Sequence, residues 1–468
     1  MIYDIAVIGG GSGGLSVAAA AAHFGRRVVL FEKGKMGGDC LNYGCVPSKA
    51  LIAASRQAHT MRACGKYGIA PVEPQVNFER VHAYVQSVIA AIEPNDSAAR
   101  FAKLGVKVVL DEARFRDAKT LVTRDGVYTA KRIVIATGSR ASIPPIPGLG
   151  DVAYLTNETI FDNKILPRHL IIIGGGPIGM ELAQAHRRLG SEVTVIEAVD
   201  PLAKDDPELT ALVLDSLRAD GIKILARAAI KSVSQAKAGL VVETESHGII
   251  SGSHLLVAAG RVANVEGLDL EAAGVAHDRR GVSVDQGLRS SQKHIYAIGD
   301  VAGGLQFTHV AGYHAGLVIR NALFKLPVKN RSDIIPWVTF TDPELAHVGL
   351  TEAAAIKQFG AATKVIRWPF HDNDRAQAEG KPNGVVKAVI GRGGKILGVG
   401  IVGAQAGELI QPWVLAMGNG LKIKSLASMV VPYPTLGEIN RRVAVSYFSG
   451  LATNPYVRGL IRLLGLFD

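Results

Sequence analysis

Two cysteines, Cys40 and Cys45, stand with four residues between them in the run GGDCLNYGCVPSK at residues 37–49, and only Cys64 joins them in a chain of 468 residues. Three cysteines are too few for a structural disulfide framework, and in a reducing compartment a close pair is more often catalytic or metal-binding. The redox reading is adopted, and no metal site is assigned. In a regular α-helix, residues five positions apart have Cα atoms about 8.6 Å apart, beyond the limit of roughly 7 Å for a disulfide. Pairing therefore requires irregular backbone between the two. Asn42 and Gly44 are residue types that tolerate unusual dihedrals, and Pro47 suits the first turn of a helix running over residues 50–62. Cys64 reads as an inert helix residue.

The elements that position this pair begin upstream. Residues 3–8 read as a buried strand, followed by GGGSGG at 9–14, an apolar helix to Phe24, a strand over 28–31 and Glu32. Gly9 permits a tight turn, Gly11 lets a pyrophosphate approach the backbone, and Gly14 lets helix and strand pack. The helix N-terminus offers its free N–H groups to the phosphates, and Glu32 is placed to accept hydrogen bonds from a ribose. The pattern recurs as a strand over 170–173, then Gly174, Gly176 and Gly179 within GGGPIG, a helix over 180–189, a strand over 193–196 and Glu197. In both copies the acid follows the last glycine by 18 residues. One such glycine run is a weak signal, whereas two with complete flanks imply two dinucleotides. An acid at the ribose position disfavours a 2′-phosphate, so Glu197 predicts that the second site prefers NAD(H) to NADP(H).

Hydrophobic residues make up 48% of the chain and glycine fills 53 positions, a composition suited to a packed α/β protein of several domains. No basic leader precedes the first strand, and Ser16 and His23 interrupt the apolar helix. Both features argue against a signal peptide or membrane span and for a cytoplasmic protein. The net charge of +11 is spread without aromatic interleaving, so no nucleic-acid partner is expected, and attraction of anionic cofactors accounts for the excess. A proline-rich joint at 143–147 divides the two nucleotide units. From Pro336 the texture changes to a hairpin, strands over 385–390 and 396–402 around Gly391-Arg392-Gly393-Gly394, between helical segments of a closing α+β domain.

These residues resemble the class I pyridine nucleotide-disulfide oxidoreductases, which include dihydrolipoamide dehydrogenase, glutathione reductase and mercuric reductase, and the likeness covers nearly the whole chain. Beyond the cysteine segment, Thr137 and Gly138 in ATGS resemble the return to the flavin domain. Gly260 and Arg261 in AGR are similar to the segment beside the nicotinamide nucleotide. Asp300 in YAIGD matches the aspartate that holds the ribityl chain, Ala113 matches a backbone position that meets the adenine, and FTDPE at 340–344 opens the interface domain.

The resemblance implies two Rossmann-like domains, FAD-binding over 1–145 and NAD(H)-binding over 146–270. A central segment, 271–335, would complete the FAD site, and a C-terminal α+β domain over 336–468 would form a homodimer. It also implies a Cys40–Cys45 disulfide against the flavin, with Cys45 facing the ring and Cys40, the more exposed sulfur, exchanging with a disulfide, dithiol or thiol-bound acceptor. Lys49, one helical turn beyond Cys45, would pair with Glu181 and supply a fixed cation near a thiolate and a flavin gaining negative charge. The alternative for both residues is a solvated helix charge.

The family pattern breaks near the C-terminus. Disulfide-reducing members carry a His-Pro-Thr segment with a glutamate five residues after the histidine; here Tyr433 replaces the histidine and Glu438 is kept. Tyrosine, with a pKa near 10, donates a hydrogen bond but scarcely acts as a base, and losing a general base typically forfeits about 10² to 10⁴ in rate. Tyr433 resembles mercuric reductase, yet the terminal cysteine pair of that enzyme is absent, and its NADPH preference conflicts with Glu197. The alternative for Tyr433 is a packing residue held between two prolines. Dihydrolipoamide dehydrogenase, mercuric ion reductase and a non-catalytic flavin-bound complex component remain the alternatives. His309 and His314 read as packing residues, with the acceptor cleft as the alternative. The tail over 457–464 is apolar at helical spacing with arginines opposite, and it is expected to dock on the protein rather than on a membrane surface.

Overall fold

The computed structural model describes residues 1–237 and 239–467. The chain divides into two compact units, Met1–Val199 with Lys223–Ser332, and Asp200–Ile222 with Asp333–Asp468.

The first unit holds a parallel five-stranded sheet in the order Ile295–Ala297, Ile133–Ile135, Ile5–Ile8, Val28–Phe31, Lys107–Val109. The runs IAVI and VVLF are buried throughout, as parallel strands covered on both faces must be. The strand expected over 3–8 is broken at Asp4, whose carboxylate accepts from the Arg27 amide at 3.0 Å and the Lys131 ammonium at 2.7 Å. Ile2–Tyr3 consequently joins a separate four-stranded sheet, pairing with Val127–Ala130. A second parallel sheet runs Lys223–Leu225, Glu192–Ile196, His169–Ile173, His254–Val257. An antiparallel pair, Ser139–Ala141 with Arg261–Ala263, brings the ATGS and AGR segments side by side.

The second unit is built on an antiparallel five-stranded sheet ordered Pro336–Thr339, Glu344–Gly349, Ile396–Gly403, Val385–Ile390, Lys364–Pro369. The predicted hairpin lies within it, its second strand one residue longer than expected. Trp413, Ile401 and Val443 are fully buried in the core of this unit. Residues 200–222 fall inside the stretch assigned as nucleotide-binding from sequence, yet helix Pro207–Ala219 belongs to this unit. Leu209 lies so close to Gly400 that a Cβ there would meet its Cδ1 at 2.2 Å. The buried Lys387 ammonium holds Asp206 at 2.8 Å, Glu208 at 2.7 Å and Glu352 at 2.7 Å.

The C-terminal helix, Pro455–Leu464, departs from expectation because none of its residues is buried. Asn454 turns the chain away, its Oδ1 accepting from the Tyr456 and Val457 amides, with Pro455 in the first turn. No helix among the described residues is long and apolar enough to cross a membrane.

Candidate active site

The cysteine pair sits on two helices rather than one. Gly38–Asn42 carries Cys40, and Cys45 opens the longer helix Cys45–Ala63. Between them Tyr43 and Gly44 leave helical geometry, Gly44 at φ −127° and ψ −106°. A Cβ at Gly44 would stand 2.9 Å from the Asp39 carboxylate and 3.1 Å from the Asp39 carbonyl oxygen, so a larger residue would crowd the irregular link. Both sulfurs are thiols in this structure, and they share a hydrogen bond.

That bond decides their protonation. Donation from Cys40 lowers the Cys45 pKa to about 6; burial opposes the shift, while Thr308 and the nearby Lys49 charge add to it. The same bond, with burial, pushes the Cys40 thiol up. Cys45 is therefore the thiolate and Cys40 the proton donor. Thr308 Oγ1 lies 3.3 Å from Cys45 Sγ. Cys45 is exposed and Cys40 half-buried in the protein alone. Cys40 lies within the short helix, whereas Cys45 begins a helix at its open end.

Lys49 Nζ sits 2.7 Å from Glu181 Oε2, and the Glu181 side chain is 6% exposed. Helix Pro177–Leu189 carries Glu181 on its buried face, so two sequence segments 132 residues apart meet beside the thiols. The solvated-charge alternative does not describe this pair.

The glycine runs form cradles that fit dinucleotides. A Cβ on Gly14 would lie 1.9 Å from the Gly9 carbonyl oxygen, and one on Gly179 would lie 2.1 Å from that of Gly174. Gly9 and Gly174 adopt φ +109° and +111°, where glycine is favoured. A Cβ on Gly11 would meet nothing nearer than 3.7 Å, and one on Gly176 nothing within 4 Å, which leaves room for a phosphate. Helices Ser12–His23 and Pro177–Leu189 both start without a side-chain cap, so their first N–H groups face outward for an anion. The two acids are held alike: Glu32 accepts from the Gly10 and Gly34 amides, each at 2.6 Å, and Glu197 from Gly175 at 2.6 Å and Val199 at 3.0 Å.

Asp300 accepts from the Ser139 hydroxyl, and burial raises its pKa above the ordinary value. Arg261 donates from Nε to Ser139 Oγ at 2.7 Å and lies 3.3 Å from Asp39 and 3.8 Å from Asp300. The pairing of its strand with Ser139–Ala141 draws it there. Thr137 Oγ1 donates to Asn264 O at 2.7 Å, while Gly138, at φ +68°, accepts from the Asn264 amide at 3.0 Å. Gly260 accepts from the Ser142 amide at 2.9 Å. Ala113 is buried in the core beneath the first sheet.

Sequence reasoning overlooked Thr308, Asp39, Ser139 and Asn264. Thr308 adjoins His309, whose ring stacks on Phe307 with centroids 5.3 Å apart. His314 is buried, its pKa lowered by that burial, and its Nδ1 accepts from the Gly299 amide at 3.2 Å. It is a neutral packing residue that fixes the turn before Asp300.

Tyr433 and Glu438 lie in the second unit and have separate partners. Tyr433 is 68% exposed and donates to Asp374 Oδ2 at 2.9 Å; that acceptor raises the tyrosine pKa above its ordinary value. Glu438 Oε1 binds Arg442 Nε at 2.9 Å one turn along its own helix.

The family model described as pyridine nucleotide-disulphide oxidoreductase matches residues 3–315, and that of the family's dimerisation domain matches 335–444. The chain belongs to this family. It is 35% identical over 461 residues to mercuric reductase of Streptomyces lividans, covering 96% of this chain and 97% of the relative. Against dihydrolipoyl dehydrogenase of Geobacillus stearothermophilus it is 34% identical over 459 residues, covering 94% of each. Among solved structures, LpdA from Mycobacterium tuberculosis superposes with a TM-score of 0.88 at 27% identity, over 95% of this chain and 100% of that one. The Cu(II) complex of the HOCl-induced flavoprotein disulfide reductase RclA from Escherichia coli gives 0.86 at 28%, over 95% and 99%. As a family member the protein is an oxidoreductase dependent on FAD and a pyridine nucleotide, with a C-terminal dimerisation domain that supports a homodimer.

Proposed function

We propose that the protein is a cytoplasmic NADH-dependent reductase that passes electrons through Cys40 and Cys45 to a thiol-bound electrophile, a soft metal ion held as its thiolate complex being favoured over a free disulfide. The observation that carries the reading is the thiol pair itself, a low-pKa Cys45 hydrogen-bonded by Cys40 and flanked by Lys49–Glu181.

FAD, seated on the first cradle, would supply a two-electron carrier, and NAD(H) on the second would supply the hydride. Gly11 and the start of helix Ser12–His23 would hold the flavin pyrophosphate, Glu32 the ribose and Asp300 the ribityl chain. Gly176 and Glu197 would play the corresponding parts for the nicotinamide nucleotide, and Glu197 would repel a 2′-phosphate. Lys49, oriented by Glu181, stabilises the Cys45 thiolate. When Cys40 and Cys45 join as a disulfide, one sulfur–sulfur bond forms, two electrons leave for the acceptor, and Cys40 gives up its own proton, Cys45 being already a thiolate.

The acceptor preference rests on Tyr433. A phenol that donates to Asp374, with its pKa raised, cannot take up and hand on the proton that a substrate sulfur gains when it leaves as a thiolate and loses when it attacks as a thiol. A metal ion bound by thiolates needs no such proton. The mercuric reductases among the relatives are named for a metal-ion acceptor, while the dihydrolipoyl dehydrogenase represents the dithiol reading.

An acceptor panel run with NADH and NADPH in parallel tests this: mercuric or cupric thiolate complexes, lipoamide and glutathione disulfide. Metal-dependent NADH oxidation that disappears in Cys45→Ser supports the reading. Faster lipoamide turnover than metal turnover overturns the acceptor assignment, and full activity in Cys45→Ser overturns the thiol route.

A further inference from the structure

The C-terminal helix takes no part in the reactions above. Helix Pro455–Leu464 has no buried residue, and Tyr456, Leu460, Ile461, Leu463 and Leu464 are 54–89% exposed. At about 100° per residue these side chains fall within one half of the helix circumference. Arg458 and Arg462, one turn apart, occupy the other half, and Arg458 Nε is fixed by the Ala452 carbonyl at 2.7 Å. Leu466 and Phe467, 79% and 82% exposed, extend the apolar set. The match to the dimerisation-domain model ends at residue 444, before this helix begins.

Charge indicates the occupant. After Arg442, which is paired with Glu438, the sequence holds Arg458 and Arg462 against the single acid Asp468. A short helix with a wide apolar face, aromatic residues at its margins, arginines opposite and almost no acid is complementary to a negatively charged lipid surface. We infer that the Pro455–Leu464 helix lies on anionic bilayers, with Leu460, Ile461 and Leu464 among the acyl chains and Arg458 and Arg462 at the headgroups. The oxidoreductase would thereby work at a membrane surface without spanning it.

Flotation of the full-length FAD-loaded enzyme tests this, with vesicles of phosphatidylcholine alone or with one third phosphatidylglycerol, at low and high salt. Binding to the anionic vesicles is expected to be at least about ten-fold stronger and to weaken in high salt. The double variant Ile461→Asp/Leu464→Asp is expected to abolish it. Arg458→Glu/Arg462→Glu should lose at least about 25-fold, about five-fold per arginine. Neither variant should alter NADH oxidation or flavin content. Equal binding to both vesicle types, or none, overturns the inference. So does an Ile461→Asp/Leu464→Asp protein that keeps its vesicle binding but falls to a smaller oligomer, because the face would then be a contact between copies of the chain.

Discussion

Cys40→Ala should raise the pKa of Cys45, because the Cys40 thiol is the leading cause of its depression from an ordinary 9.0 to about 6. At pH 7 that depression makes about nine tenths of Cys45 thiolate, against about one hundredth for an ordinary thiol. A hydrogen bond to a charged group is worth about 1.5–3 kcal/mol, or about 1–2 pKa units at 1.36 kcal/mol each. Thr308 and Lys49 share in the depression, so the smaller end, about 1 unit, is expected. Thr308 and Lys49 remain in the variant and keep the midpoint below 9.0. The assay is iodoacetamide alkylation of the phosphine-reduced holoenzyme across pH, with the Cys45 peptide followed by mass spectrometry. At pH 6.5, Cys40→Ala should react about three-fold more slowly than the parent, and at pH 9 equally fast. Cys40→Ser, which keeps a donor, should fall between the two. An unmoved midpoint in Cys40→Ala would show that the thiol bond does not set the titration, and a parent midpoint near 9 would remove its premise.

Other consequences can be checked separately. Lys49→Met leaves the buried Glu181 carboxylate without its 2.7 Å cation and should cost about 1–3 kcal/mol in urea unfolding, while also raising the Cys45 alkylation midpoint. Gly14→Ala forces a Cβ to within 1.9 Å of the Gly9 carbonyl, so the purified variant should lose most of its flavin absorbance. Lys387→Met strands buried Asp206 and should cost about 3–5 kcal/mol. Arg367 chiefly, with Lys387, depresses the Glu208 pKa from 4.5 to about 2. The stability it contributes is therefore full above 4.5 and lost as pH falls through about 2, so the difference in Tm between parent and Glu208→Gln should close across that window.

Much of the site was legible because each requirement was local. A glycine at φ +109° or a carboxylate tied to two nearby amides is fixed by a few neighbouring residues, so Gly9, Glu32 and their counterparts Gly174 and Glu197 could be read in order. Lys49–Glu181 spans 132 residues and was found only through family resemblance. Thr308, 263 residues from Cys45, carried no local signal. The contacts of Arg261 with Ser139 and Asp39 follow from strand pairing with Ser139–Ala141, which sequence proximity does not report. Helix Pro207–Ala219 follows a nucleotide-binding strand in sequence, but packing of Leu209 and the Lys387 ion cluster place it in the other unit. The exposure of the tail helix depends on the turn at Asn454–Pro455, which periodicity alone does not report.

The most direct test of the central claim is an anaerobic reductive titration of the flavin-loaded protein. If Cys40 and Cys45 store electrons beside the flavin, the parent will take up two electrons for the flavin and two more for the sulfur pair, while Cys45→Ser will take up only the first two. Equal uptake by the two proteins would contradict the account.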